Sequence, residues 1–135
     1  LFAERHLMVI EGLFPTPIGK TTLSKALTKE QFQFIRNQPM RLNMSNRSSM
    51  NNYLLETKEL VDVKEELTQV VRNYFKEVYA PKDGIDVYIT QSWSNVTKSG
   101  EYHHAHTHPN SFLSGVLYVR TEDTDNILNH GALLT

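Results

Sequence analysis

Apolar positions in this chain change period twice, and those changes divide it. From Leu60 onward, Leu60, Val63, Leu67, Val70, Val71, Tyr74, Phe75 and Val78 recur three and four residues apart. This spacing predicts an amphipathic helix over 57–79, ended by Pro81 and Gly84. Lys64, Glu65, Arg72 and Lys76 fall on its other face as solvated surface. Upstream, Thr28 followed by Gln31 is a capping-box pair that opens a shorter helix over 28–37, with Phe32 and Ile35 turned inward. From Ile85 the period becomes two. Ile85, Val87, Ile89, Gln91, Trp93 and Asn95 alternate with polar or exposed-type partners, as a strand requires.

Turn signals at Thr97-Lys98-Ser99-Gly100 and at Pro109-Asn110-Ser111 bracket a second extended run. A third strand is expected over 112–119, buried by its composition. Pro15 and Pro17 interrupt residues 10–23, which read as an irregular arm or edge strand. Residues 37–52 are rich in Asn and Ser, and by composition form an exposed loop. Helices first and antiparallel strands after describe one α+β domain over 1–135. Residues 1–8 read as a non-native or disordered lead, 9–80 as mostly helical and 85–135 as the strand region.

Composition narrows the chemistry. The chain has 135 residues, with hydrophobic residues at 39% and charged residues at 21%, the balance of a folded domain. Fourteen Lys and Arg against fifteen Asp and Glu give a net charge of -1, so no global field draws nucleic acid or an anionic membrane. The absence of cysteine excludes disulfides, zinc-thiolate sites and thiol nucleophiles. No apolar run approaches the roughly 18 residues of a membrane span, and a cytoplasmic location is the default expectation. Gly19-Lys20-Thr21-Thr22 resembles only the tail of a phosphate-binding loop and lacks its leading glycine.

Four of the six histidines lie in the segment Gly100-Glu101-Tyr102-His103-His104-Ala105-His106-Thr107-His108-Pro109. On a strand, Tyr102, His104, His106 and His108 share one face. Imidazole is a common transition-metal ligand near neutral pH, and two on one strand face can chelate one ion. The candidate ligand pair is His106 with His108, or His104 with His106.

The run Gln91-Ser92-Trp93-Ser94-Asn95-Val96, followed by Gly100, then His106-Thr107-His108-Pro109 and Ser114-Gly115-Val116-Leu117-Tyr118, resembles a known family. These are the prolyl-hydroxylase-like Fe(II)/2-oxoglutarate oxygenases of marine bacteria and cyanobacterial tailed phages. Leu13-Phe14-Pro15-Thr16-Pro17 is similar to that family's N-terminal start. The resemblance implies a double-stranded β-helix (a jelly roll, or cupin-like fold) with helices packed on the sheet. It also implies a hydroxylase-type oxygenase using Fe(II) and 2-oxoglutarate, acting on a small molecule or a peptide or protein. The expected host is a bacterial or phage-infected cell.

Carried over, His106 takes the first position of the family's His-x-Asp/Glu pair and His108 the second, where the family has a carboxylate. His104 is the alternative ligand, and Asn95 and Tyr118 are the candidate 2-oxoglutarate contacts. Only fifteen residues follow Arg120 (135 minus 120), whereas three or four further strands would need about 40. The distal metal histidine and basic residue of the family are therefore missing, and His130 lies too close to His108 to replace the former. The chain is thus expected to be a C-terminally truncated member, whose open sheet edge would pair in a homo-oligomer. The alternative is a catalytically incomplete cupin-like metal-binding or phage-associated interaction module.

Overall fold

In the computed structural model, which describes residues 14–119, the strongest local signals become the two helices. Helix α1 spans Lys29–Arg36. Thr28 Oγ1 accepts from the Gln31 backbone N–H at 3.1 Å, and the Gln31 side chain accepts from the Thr28 N–H at 3.0 Å. Two of the donors at the helix start, the Thr28 and Gln31 N–H groups, are thereby satisfied. Gln31 is the buried residue of α1, and its side-chain amide also donates to Asp62 Oδ1 at 2.7 Å and to the Glu59 carbonyl at 3.2 Å. The capping residue is thus also the tie between α1 and the start of the long helix.

Helix α2 spans Val61–Tyr79 and is led in by two short 3-10 turns, Leu54–Glu56 and Lys58–Leu60. It ends at Ala80, whose positive φ of 42° lets its N–H reach the Lys76 carbonyl at 3.1 Å. Leu54, Leu60 and Val63 form the buried core, against which Leu27, Phe34, Ile35, Leu55, Leu67 and Leu117 pack. On α1 it is Phe34 and Ile35, rather than Phe32 and Ile35, that reach this core. Further along α2, buried Phe75 meets Phe112 edge-on, with ring centroids 5.8 Å apart. Phe112 and Leu117 therefore dock the 112–119 segment on the helical layer without a strand.

The sheet arises where composition argued against it. Met40–Asn43 (β1) and Asn46–Ser49 (β2) form an antiparallel hairpin in register Met40↔Ser49 to Asn43↔Asn46. Met44, with φ 48°, takes the positive-φ loop position that glycine usually fills. The expected exposed loop over 37–52 is overturned, because Asn46, Ser48 and Ser49 are all buried. Burial of such polar side chains is tolerated only when they are bonded. Ser49 meets that condition through its N–H to the Ser94 carbonyl at 2.8 Å and its hydroxyl, which accepts from the Ser94 N–H at 3.1 Å.

Strand β3, Asn95–Val96, adds to β2 through Arg47↔Val96 and Ser48↔Asn95 and completes a three-stranded antiparallel sheet in the order β1-β2-β3. This sheet is open. The jelly-roll or cupin-like fold is therefore overturned among the described residues. Alternation over 85–94 specifies which side chains would share a face, but a strand also needs a partner edge. The available edge, β2, is four residues long and engages only Asn95 and Val96 in the ladder, with one isolated bridge between Ser92 and Tyr53. Ile85 and Tyr88 consequently stay exposed, and neither 102–108 nor 112–119 forms a strand. The first residues of the expected arm, the segment beyond Val119 and His130 lie outside the described residues.

Candidate functional site

The hairpin positions the histidines. Asn46 Nδ2 donates to Thr97 Oγ1 at 3.1 Å and bonds His103 Nδ1 at 2.8 Å, pinning the start of the histidine segment to β2. A turn then sets its entry. Gly100 has φ 82°, the Glu101 N–H donates to the Lys98 carbonyl at 3.0 Å, and the Glu101 carboxylate accepts from the Lys98 N–H at 2.9 Å. At the exit, the Ser111 N–H bonds the His108 carbonyl at 3.2 Å across Pro109-Asn110. Both turns stand where Gly and Pro signalled them.

Between these turns the chain folds the imidazoles together rather than alternating them. His103 and His106 are 4.6 Å apart between ring centroids, His106 and His108 also 4.6 Å, and His104 and His106 5.2 Å. His103, which strict alternation would place on the opposite face, joins the group. Its only signal in the sequence was membership of the cluster. Together with Arg41, Asn43, Ser48 and Trp93, the four histidines line a cavity of about 200 Å³. Trp93 supplies an aromatic wall, its ring 5.5 Å from that of His108.

Hydrogen bonds define how the protons are shared. His106 Nδ1 lies 2.9 Å from the His104 carbonyl, which can only accept, so His106 carries its proton on Nδ1. In the neutral ring its Nε2 is then an acceptor, and His108 Nε2, 3.0 Å away, is the donor. Burial, followed by the neighbouring His106, holds the His108 imidazole below the ordinary histidine range. Burial likewise lowers His103, with smaller contributions from His106, His104 and His108. His104 Nδ1 is buried with no hydrogen-bond partner among the described residues.

This arrangement does not fit the expected iron. A two-histidine, one-carboxylate centre needs three donors turned to one point. Here the Nε2 atoms of His106 and His108 bond each other, and among the described residues no Asp or Glu lines the cavity. Among the described residues, no group of three or more His, Cys, Asp or Glu side chains is placed to hold a metal ion. The expected Fe(II) and 2-oxoglutarate pair is therefore overturned, and with it the oxygenase function, the enzyme assignment and the metal-binding alternative. Asn95 and Tyr118, the expected 2-oxoglutarate contacts, are outside the cavity lining: Asn95 pairs with Ser48 in the ladder, and Tyr118 is exposed.

The family described as 2OG-Fe(II) oxygenase matches residues 91–132, less than a third of the 135-residue chain. The matched stretch contains all four clustered histidines, so the similarity is centred on this site. No curated protein and no solved structure matches the chain. Among the described residues, no helix is long and apolar enough to cross a membrane.

Proposed function

We propose that the histidine cavity binds a small oxyanion, and that the chain acts as a ligand-binding module rather than through a metal centre. The supporting observation is the composition of the lining: one guanidinium, four imidazoles, an indole, an amide and a hydroxyl, with no carboxylate among the described residues. Burial first, and the neighbouring imidazoles second, hold His103 and His108 below the ordinary histidine range. An anion in the cavity supplies a counter-charge and gains charge-assisted hydrogen bonds in return.

Arg41 is the permanent cation of the site. Its Nε donates to Ser48 Oγ at 3.4 Å and its Nη2 to Asn52 Oδ1 at 3.1 Å. Neither partner is charged, and among the described residues Arg41 forms no salt bridge. Its remaining N–H groups keep their capacity for a bidentate contact with an oxyanion.

Calorimetric titration with inorganic phosphate, in the presence of a chelator and near pH 6, tests this reading. Saturable binding in the millimolar range, about -4 kcal/mol, is expected. Absence of saturable binding, or binding that requires an added divalent metal, contradicts it.

A further inference from the structure

Asn46 is 1% exposed and belongs to no part of the cavity lining, yet its amide makes three side-chain contacts. Its oxygen accepts from Asn43 Nδ2 at 2.9 Å. Its nitrogen serves Thr97 Oγ1 and His103 Nδ1. An amide NH2 has two hydrogens and no lone pair to offer, so both are committed and His103 Nδ1 must accept. A neutral imidazole that accepts at one nitrogen carries its proton on the other. That other nitrogen, Nε2, lies across the ring from Asn46 and makes no hydrogen bond among the described residues, while His103 itself lines the cavity.

We propose that Asn46 is a positioning residue, holding His103 as the Nε2–H tautomer so that a neutral imidazole donates to the anion in the cavity. This rests on the oxyanion reading and names the donor that the reading needs at neutral pH. Among the neutral histidines, His106 has both nitrogens committed and the proton of His108 Nε2 is shared with His106. His103 and His104 therefore each have a ring N–H left for a ligand, and of the two only His103 has its tautomer set by a neighbouring side chain among the described residues.

Long-range 1H–15N spectra of the imidazole nitrogens, recorded without phosphate, read the tautomer directly. His103 is expected as a single Nε2–H form. In Asn46→Asp the carboxylate can only accept, so His103 is expected to turn to Nδ1–H and phosphate affinity to fall about tenfold. In the neutral variant Asn46→Ala the two tautomers average, and affinity falls about threefold, which separates the tautomer from the added charge. Nδ1–H or an averaged ring in the wild type overturns the positioning role, and this spectrum decides even if neither variant folds. Unchanged phosphate affinity in a folded variant whose tautomer has changed also overturns it. A clean Nε2–H form in a protein that binds no phosphate overturns the oxyanion reading instead.

Discussion

The Nε2 atoms of His106 and His108 lie 3.0 Å apart and share one hydrogen. Since His106 is protonated at Nδ1 toward the His104 carbonyl, its Nε2 accepts from His108 Nε2–H, and a proton placed on His106 Nε2 would break the bond. The cavity is therefore proton-sensitive. Burial, followed by His106, holds His108 below the ordinary histidine range, and burial likewise lowers His103.

Stability should follow the sign of these shifts. In the folded chain His103 and His108 are held below their ordinary value, so between the depressed value and about 6.5 the unfolded chain binds more protons. Their contribution is complete above about pH 6.5 and is lost as pH falls toward the folded-state value. Thermal unfolding should give a lower Tm near pH 5 than near pH 7.5, with a shallower dependence in His108→Gln. An unchanged pH dependence in that variant would remove His108 from the account.

Anion affinity should move the opposite way. Because protonation and anion binding favour each other, sulfate, whose own charge is constant over this interval, should bind more tightly as pH falls from about 7.5 to about 5.5. Sulfate should also restore part of the acid-induced loss in Tm. Affinity independent of pH across that interval would mean that the histidines take no part.

Arg41→Ala removes the permanent charge and the bidentate fork from the cavity. Arg41 is an exposed residue, so its contacts are screened. The expected loss is about five- to tenfold in phosphate Kd, about 1–1.4 kcal/mol. Arg41→Lys should recover only part of it, because an ammonium lacks the fork. Calorimetry on both variants checks the order.

Two substitutions test the framework. Leu60 is 1% exposed in the core, and Leu60→Ala should cost about 2–5 kcal/mol in denaturant titration. Thr28→Ala removes half of the capping box and should cost about 1 kcal/mol. A reversed order would place the core elsewhere.

Gly19 lies against the Tyr74 ring, where an added Cβ would come within 2.6 Å of Cδ2 and 3.1 Å of Cε2. The ring is tethered by its hydroxyl, which donates to the Pro17 carbonyl at 2.9 Å. Gly19→Ala should therefore destabilise by about 1 kcal/mol after the gain from reduced unfolded-state freedom. Tyr74→Leu should make the same change nearly neutral in a double-mutant cycle.

Local features were legible in the sequence and long-range ones were not. The capping pair Thr28 and Gln31, the apolar stripe of α2 and the turns at Gly100 and Pro109 depend on neighbours a few residues away. The hairpin at 40–49 was hidden because Asn46, Ser48 and Ser49 are buried through bonds to residues 92–103, far along the chain. Alternation from Ile85 suggested a strand that lacks a partner edge for most of its length. Histidine density marked the segment whose imidazoles the fold gathers around one cavity, but the strand assumption separated His103 from the group and gave no sign of Arg41 or Asn46.

The most direct test of the central claim is a phosphate titration followed by the Cε1–Hε1 signals of the histidines, near pH 6 with chelator present. Saturable, sulfate-competed shifts at His103, His104 and His108 together, abolished or much weakened in Arg41→Ala, are predicted. Signals of these three histidines that stay in place, or that move only after a divalent metal is added, would contradict it.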